Sequence, residues 1–541
     1  MDRGLATPVA LIIDDAKPAD GSRPMADRLR SGRTAWNLYN RLFVRHRSRA
    51  LREEDLAPLL QDVPTVRCIA RKGTGSGQYF SEQDIAAIQT HRPDFILRFA
   101  FNIIRGDILT AARYGVWSFH HDDLDVYRGP PACFWPTYYG DPVQGVTLQR
   151  LTEGIDCGVI LKRCWLKCTH HDYARNRDNA FLFAADMPAQ VCRDIVRGHT
   201  AGVLGPPSTT NAPIRTVPRT GEAVRYAIQS ATAAVRHATA SRLFDDQWAL
   251  GIIERPVVSV LQQPLPEPRW ICPMPRGRFL ADPFIARSDD GLLILAEDYT
   301  GRTGRGHISA IRIDEAGRVS EPVPVIMEPY HLSYPYLVER DGELFCIPES
   351  AESGEIAIYA PQGNMRPWRR AGTLIKGIRA LDATVIEFAG RWWMFLCTRS
   401  GYVEARLEIF HAPDLFGPWT PHPLNPVQSD IRSSRPAGKP FVHEGVLYRP
   451  AQDCSLTYGG SIVINRIECL TVDEYRESPA TRLQPDSAWQ FPRGLHTLGW
   501  TGNCMVVDAK RRILLPRAVS PLFPLGATTA ALRAAKSPAG R

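Results

Sequence analysis

Two different patterns of apolar and polar positions divide the chain. In residues 8–165, short apolar runs alternate with amphipathic segments. Short apolar runs bounded by turn residues favour strands, and apolar positions three or four apart favour helices. The pattern predicts strands at 8–13, 65–70, 94–99, 116–119 and 145–151, and helical segments at 36–47, 81–91 and 108–113. Alternating strands and helices predict a mostly parallel, Rossmann-type α/β sheet.

Helix and linker signals follow this region. Ser81 and Asp84 have the spacing of a capping box at the start of the helix at 81–91. Residues 205–218 are rich in Pro and Thr, which indicates a linker, and the Ala-rich stretch 223–242 predicts a helix. We therefore predict one domain over 1–204 and a helix-containing linker over 205–255.

Beyond residue 255, helical periodicity disappears and short β-type runs recur around turns. The turns fall near residues 291, 342, 390, 445 and 510. A spacing of roughly 50–65 residues suits a four-stranded blade, and five such units predict an all-β five-bladed propeller over 256–520. The Ala/Pro/Ser-rich residues 521–541 predict a disordered tail.

Bulk composition narrows the class of protein. The 541 residues are 44% hydrophobic and 23% charged, which is typical of a globular protein. A net charge of +8 without a Lys/Arg-rich run favours a basic enzyme over a protein that binds nucleic acid. The apolar run 9–13 is too short for a signal peptide, and no stretch reaches the length of a membrane span. A cytoplasmic protein is expected, and its oligomeric state stays open.

Metal, disulfide and phosphate-loop signals are weak. The 12 cysteines are scattered singly, so no disulfide framework is expected. Cys164, Cys168, His170 and His171 lack a matching second ligand pair, and we predict no metal. The Gly-rich segment 73–77 lacks the Gly-Lys-Ser/Thr ending of a phosphate loop and is interpreted as a flexible loop.

The stretch 114–161 contains the clearest chemical signal. It holds five elements in a fixed order: Tyr114-Gly115, His120, Tyr127-Arg128-Gly129, Gly145-Val146-Thr147 and the acidic turn Glu153–Gly158. The order and spacing resemble the formyltransferase family, which includes methionyl-tRNA, glycinamide ribonucleotide and sugar N-formyltransferases. The resemblance covers about 50 residues and agrees with the α/β pattern before it.

The resemblance implies a formyl donor, N10-formyltetrahydrofolate, and a primary amine as acceptor. It implies that His120 contacts the formyl group and that Asp156 orients the histidine or accepts a proton, with Ser118 at the third catalytic position. It also implies a donor site, which we assign to Arg98, Phe99, Tyr127, Arg128 and Gly129. Acyl transfer of this kind needs donors around the developing oxyanion and a group that moves protons.

Ser118 departs from the family pattern, which has Asn two residues before the histidine. Three explanations stay open: Ser118 donates with a shifted geometry, a neighbouring side chain substitutes, or the domain has lost formyl transfer. The acidic loop 121–125 also departs from the pattern. It either binds a polar or cationic acceptor or is a solvated loop. Family members usually begin with a strand and helix before the segment at 8–15, and these are not seen.

Residues 270–518 resemble the N-terminal domain of glucosamine inositolphosphorylceramide transferases and, more distantly, five-bladed glycoside hydrolases. The likeness rests on 281–284, 333–336, 347–350 and 381–383. It implies that Asp282, Glu349 and Asp382 face a central channel and contact a sugar. Because blade four shows no clear general-acid Glu, binding is favoured over hydrolysis. Blade-start acids that only cap turns stay an alternative.

Together these patterns predict a formyltransferase acting on an amino sugar or sugar conjugate, with the propeller binding the glycan. The alternative is a glycan-binding or glycan-hydrolysing propeller protein whose formyltransferase-like domain is inactive.

Overall fold

A computed structural model describes most of the chain. The described residues are 5–15, 33–73, 77–99, 101–271, 274–275, 277–288, 290–362, 366–400 and 403–514. The chain divides into two compact units, Met1–Val235 and Arg236–Arg541. The predicted tail at 521–541 and the centre of the predicted loop at 73–77 lie outside the described residues.

The first unit mixes short strands and helices. Its strands are β1 Leu11–Asp14, β2 Thr65–Cys68, β3 Arg71–Lys72, β4 Gly77–Tyr79, β5 Ile96–Arg98, β6 Ile103–Arg105, β7 Val116–His120, β8 Val143–Arg150 and β9 Val159–Lys167. Its helices are α1 Thr34–Tyr39, α2 Ala57–Leu60, α3 Glu82–Thr90, α4 Trp135–Tyr139, α5 Tyr173–Ala184, α6 Met187–Val196 and α7 Ala201–Leu204, and α8 Thr220–Leu243 crosses the unit boundary. Ser81 caps α3 in the predicted capping box.

The prediction of a mostly parallel sheet is wrong for the described strands. They form three small sheets, ordered β1-β2, β3-β4-β6 and β5-β7-β8-β9. The pairs β1–β2, β4–β6 and β5–β7 are parallel, whereas β3–β4, β7–β8 and β8–β9 are antiparallel. The loop between β8 and β9 is too short for the crossover that a parallel pair requires.

Aromatic side chains hold the helices of the first unit together. The ring of Phe134 lies 4.8 Å from Trp36 and 4.8 Å from Tyr226, and Tyr173 also packs on Trp36. The predicted linker is partly built into this unit, because Ile214 bridges to Arg128. The helix predicted at 223–242 is confirmed as α8.

The second unit is built from strands. They are β10 Phe244–Ile253, β11 Arg269–Ile271, β12 Arg278–Ser288, β13 Gly291–Thr300, β14 Arg305–Ile313, β15 Val323–Ile326, β16 Ser333–Arg340, β17 Glu343–Glu349, β18 Glu355–Ala360, β19 Arg369–Lys376, β20 Ala380–Phe388, β21 Arg391–Ser400, β22 Val403–Ala412, β23 Thr420–Pro421, β24 Gln428–Ser429, β25 Phe441–His443, β26 Val446–Asp453, β27 Ser461–Leu470, β28 Tyr475–Leu483, β29 Gly494–Thr501 and β30 Cys504–Leu514.

These strands form five antiparallel sheets, which we call blades one to five. Blades one to four run β12–β15, β16–β19, β20–β23 with β24 attached, and β25–β28, and blade five is ordered β11-β10-β30-β29. Blade five therefore joins the two ends of the unit, since β10 pairs with β30 along its whole length. The predicted boundary at 256 is wrong for this reason: residues 244–253 belong to the sheet.

Buried apolar clusters connect the blades in cyclic order. One cluster joins blades one, two and three, and others join three to four, four to five and five to one. Because each blade packs on two neighbours, the five sheets close into a ring, the arrangement of the predicted five-bladed propeller. The fifth predicted turn is misplaced: Asp508 and Lys510 lie inside β30, and the hairpin turn is at Gly502.

Candidate functional sites

The first candidate site lies where β5 and β7 end. Arg98 of β5 is the register partner of Ser118 of β7, which in turn pairs with Gln149 of β8. Side chains at paired positions share one face of a sheet, and alternate residues along a strand do too. Arg98, Ser118 and His120 are therefore neighbours on one face of this sheet.

His120 and Asp156 form a close pair. The His120 Nδ1 atom lies 3.5 Å from Asp156 Oδ1, with 11% and 20% of the two side chains exposed. The other ring nitrogen, Nε2, lies 3.1 Å from the Tyr127 carbonyl, which can only accept, so Nε2 carries a hydrogen. Asp156 has a φ of 52°, a conformation that Asp tolerates better than most residues.

Electrostatics favour the charged form of this pair. Burial lowers the pKa of His120, but the hydrogen bond and charge of Asp156, with smaller effects of Asp122 and Tyr127, raise that pKa above its usual value. Burial raises the pKa of Asp156, but His120 and then Arg128 lower it below the usual value. An imidazolium facing a carboxylate can donate a proton and later recover one.

Arg128 and Gly129 lie beside Asp156, and the Tyr127 carbonyl contacts His120. The Arg128 Nη2 group donates to the Ile155 carbonyl at 2.5 Å, and the Gly129 N–H bonds to Asp156. Gly129 has a φ of 86°, and a Cβ there would lie 2.2 Å from the Arg215 carbonyl oxygen. The Tyr127 hydroxyl donates to Asp141. These three predicted donor-site residues thus lie next to the His120–Asp156 pair, and the prediction that they bind the donor stays a prediction.

Arg98 and Phe99 occupy the end of β5. Phe99 is 81% exposed, so its ring is available to stack on a flat heterocycle, and the donor's pterin group has that shape. The Arg98 guanidinium donates to Ser118 Oγ from Nη2 at 2.8 Å and from Nε at 3.2 Å. These two residues fit a folate donor; the prediction that they bind one stays a prediction.

Asp122 is a buried residue that the sequence interpretation left in a solvated or acceptor-binding loop. It is 1% exposed, and one oxygen accepts from the Cys133 N–H at 3.1 Å. Burial raises its pKa to about 8. The loop 121–125 is therefore anchored in the core at this position.

The second candidate site is the centre of the ring. Asp282 is 5% exposed: its Oδ1 accepts from the Thr497 hydroxyl at 2.7 Å and lies 3.4 Å from His496 Nε2. The Nδ1 atom of His496 lies 2.6 Å from Asp508 Oδ2, which also accepts from the Asp282 N–H. Burial raises the pKa of Asp282 to about 6. Ligand atoms of Asp282, His496 and Asp508 lie within 4.8 Å of one another and could hold a cation.

Asp382 and Glu349 both lie next to the Arg435 guanidinium at this centre. The Arg435 Nε group donates to Asp382 Oδ2 at 2.5 Å, and its Nη2 lies 3.6 Å from Glu349 Oε2. Gln452 also donates to Asp382, which is 1% exposed. The structure therefore brings the three predicted sugar-facing acids to one region, but it buries Asp282 and Asp382 in bonds within the protein.

Several residues of this centre were missed, and a repeat feature could have found them. Strands β12, β16, β20 and β29, one in each of blades one, two, three and five, share a β-bulge after Ala281, Ser333, Leu381 and Leu495. Aligning these bulges places Asp282, Tyr334, Asp382 and His496 at equivalent positions. Placing the turn of blade five near 510 instead of at Gly502 shifts this alignment and passes over His496.

Beside this centre lies a partly exposed aromatic ring. Tyr458 is 40% exposed, and the Arg435 guanidinium carbon lies 5.1 Å from the centre of its ring. The ring of Trp248 stacks on His496 at 4.0 Å. Burial and neighbouring carboxylates raise the pKa of Glu297, another missed acid, well above its usual value.

Comparison with known proteins finds similarity to one family over part of the chain. Residues 273–490 match the family described as glucosamine inositolphosphorylceramide transferase 1, N-terminal. The protein of that name from Oryza sativa subsp. japonica is 34% identical over 227 residues, which is 40% of this chain and 30% of the relative. This chain thus spans about a third of that relative.

Shorter matches and solved structures show further similarities. A methionyl-tRNA formyltransferase from Prochlorococcus marinus is 34% identical over 88 residues, 16% of this chain and 26% of the relative. A family 117 glycoside hydrolase from Zobellia galactanivorans, Zg3597, aligns with a TM-score of 0.32 and 13% identity over 43% of this chain and 85% of its own. Among the described residues, no helix is long and apolar enough to cross a membrane.

Proposed function

We propose that the first unit transfers a formyl group from N10-formyltetrahydrofolate to a primary amine on an amino sugar or sugar conjugate. The observation that carries this proposal is the His120–Asp156 pair, 3.5 Å apart at the end of β7 and beside an arginine. The short match to a methionyl-tRNA formyltransferase supports the reaction class.

The pair can handle both protons of the reaction. The acceptor amine forms a bond to the formyl carbon, and the bond between that carbon and N10 breaks. The amine loses one proton and N10 gains one. Since the raised pKa of His120 favours the imidazolium, His120 gives its Nε2 proton, otherwise bonded to the Tyr127 carbonyl, to the leaving nitrogen and recovers one from the amine. Phe99 would stack on the donor, and the segment 127–129 would hold Asp156 in place.

We assign glycan recognition to the ring centre of the second unit. Tyr458 offers an exposed aromatic face on which a sugar ring can pack, and Arg435 with Glu349 offers charged groups for its hydroxyls. The match of 273–490 to part of a transferase named for glucosamine and inositolphosphorylceramide supports a glycan ligand. The buried Asp282 and Asp382 would hold the neighbouring protein groups of this site in place. A cytoplasmic location is part of the same proposal.

Calorimetric binding of 5-formyltetrahydrofolate, a stable stand-in for the donor, tests the first unit without knowledge of the acceptor. The wild-type chain should bind it, and formyl transfer to amino sugars should then be detectable. His120→Ala should lower the transfer rate by about 10²–10⁴-fold, because proton transfer by a positioned side chain contributes that much. His46→Ala, which changes an exposed histidine, is the matched control.

Two results would contradict formyl transfer. A folded wild-type chain that does not bind 5-formyltetrahydrofolate would shift the function to the alternative, a glycan-binding propeller with an inactive first unit. Turnover that survives His120→Ala would remove the pair from the reaction. In either case, glycan binding by the second unit would still be tested by Tyr458→Ala, with Tyr79→Ala, another 40%-exposed tyrosine, as control.

A further inference from the structure

The contact between Arg98 and Ser118 accounts for the most serious departure from the formyltransferase pattern. Ser118 stands where that pattern has an amide, and a hydroxyl on so short a side chain reaches less far. In this chain the Ser118 oxygen instead accepts two hydrogen bonds from one guanidinium, at 2.8 and 3.2 Å. Ser118 is 2% exposed, so this contact is made in the core of the site.

The bonds of Arg98 fix its orientation. A guanidinium has five N–H groups. Nε and one N–H of Nη2 bond to Ser118, and Nη1 donates to the carbonyls of Phe101 at 3.2 Å and Asn102 at 2.6 Å. Within the described part of the chain, the second N–H of Nη2 has no acceptor. One N–H donor and the positive charge are therefore left on Arg98, which shares a face of the sheet with His120.

The positive charge of Arg98 interacts with Asp156 of the His120–Asp156 pair. Burial lowers the pKa of Arg98, and the attraction of Asp156 offsets part of that lowering. A partly buried cation interacts strongly with an oxyanion, because charge-assisted hydrogen bonds are about twice as strong as neutral ones. An arginine at this position can thus replace an amide donor.

We propose that Arg98 takes over the oxyanion-stabilising role of the missing amide, with Ser118 as the positioning residue that holds the guanidinium. This inference rests on the proposed formyl transfer and assigns its electrostatic component. Arg98 would contact the formyl oxygen as negative charge develops there, and the proton steps would stay with His120 and Asp156.

Four proteins test the assignment: wild type, Arg98→Ala, Arg98→Ala with Ser118→Asn, and the exposed-residue control Arg52→Ala. Arg98→Ala should lower kcat by about 10²–10³-fold, the usual cost of one oxyanion donor. Its Kd for 5-formyltetrahydrofolate should rise by a smaller factor than kcat falls, because the interaction forms mainly in the transition state. Restoring the amide with Ser118→Asn should recover about tenfold of the loss.

A second measurement needs no turnover. Formate carries a charged oxygen like the one that develops on the formyl group, so it is titrated into each protein saturated with tetrahydrofolate. Wild type should bind formate at least about tenfold more tightly than Arg98→Ala, since the cation is the main attraction. Equal formate affinities, including no binding in either protein, would overturn the assignment.

The outcomes separate this inference from the proposed function. A wild type that transfers formyl groups while Arg98→Ala is equally active refutes only the role of Arg98. A wild type that neither binds the folate nor transfers formyl groups refutes both. If Arg98→Ala fails to fold, Arg98→Lys keeps the charge without the planar fork; unchanged kcat and formate affinity in that variant would refute a role for the directed N–H.

Discussion

Two buried or half-buried carboxylates, one in each unit of this chain, have contrasting surroundings. In the ring, Asp508 is 0% exposed and accepts from three backbone N–H groups, those of Asp282, His496 and Thr497. In the first unit, the Asp156 side chain is 20% exposed and faces one histidine. A carboxylate saturated by backbone donors joins strands together, whereas one paired with a histidine near solvent can exchange protons.

The same contrast holds for the cations. Arg435 neutralises the buried Asp382 of blade three, and His496 faces the buried Asp282 of blade one, so both cations connect β-sheets. His120 lies two residues beyond Ser118, the register partner of Arg98, at the edge where loops begin. Charged side chains at strand ends are thus insufficient evidence of catalysis, and their remaining hydrogen-bonding capacity is more informative.

The largest expected effect is on closure of the ring. Asp508→Asn removes the charge that faces His496 and should lower the free energy of unfolding by about 3–5 kcal/mol, because breaking a buried ion pair leaves an uncompensated charge. Urea unfolding followed by tryptophan fluorescence measures it. Asp341→Asn, at an exposed turn position, should change stability by less than about 0.5 kcal/mol. Equal losses in both variants would show that Asp508 does not secure the closure.

The hairpins of the ring were predictable because their determinants are local. Turn residues between β-type runs mark a hairpin without any knowledge of its neighbours, and four of the five predicted turns coincide with observed hairpins. The fifth failed because Asp508-Ala509-Lys510 resembles a turn while its charged side chains are paired inside the ring. Pairing between distant strands decides such a case.

The first site was predictable for the opposite reason. His120 and Asp156 were found through motif spacing, and the structure places them together. The direction of strand pairing and the Arg98–Ser118 contact depend on register across β5, β7 and β8, which the linear pattern does not contain. The sequence leaves three explanations for Ser118 open. The three-dimensional register favours the one in which a neighbouring side chain substitutes for the amide.

A smaller effect is expected from the buried acid beside His120. With a pKa of about 8 in the fold and an ordinary value of 3.8, Asp122 holds a proton when folded that it loses when unfolded. Between these values the free energy of unfolding should therefore fall as pH rises, by about 1.4 kcal/mol per pH unit. Asp122→Asn should abolish this slope relative to wild type in urea unfolding at pH 5, 6 and 7. Parallel curves would mean that Asp122 is ionised in the folded protein.

The smallest expected change is a shift in one titration, and it bears most directly on the contrast between the units. Asp156→Asn removes the negative charge that raises the pKa of His120, so that pKa should fall. Titration of the His120 ring by NMR, identified by its absence in His120→Ala, measures the shift, and Asp62→Asn at an exposed position serves as control. Since the imidazolium is the form that gives a proton to the leaving nitrogen, the alkaline limb of the pH–rate profile should move to lower pH in the same variant. An unchanged His120 pKa would mean that Asp156, like Asp508 in the ring, stabilises the fold and does not control the protonation of His120.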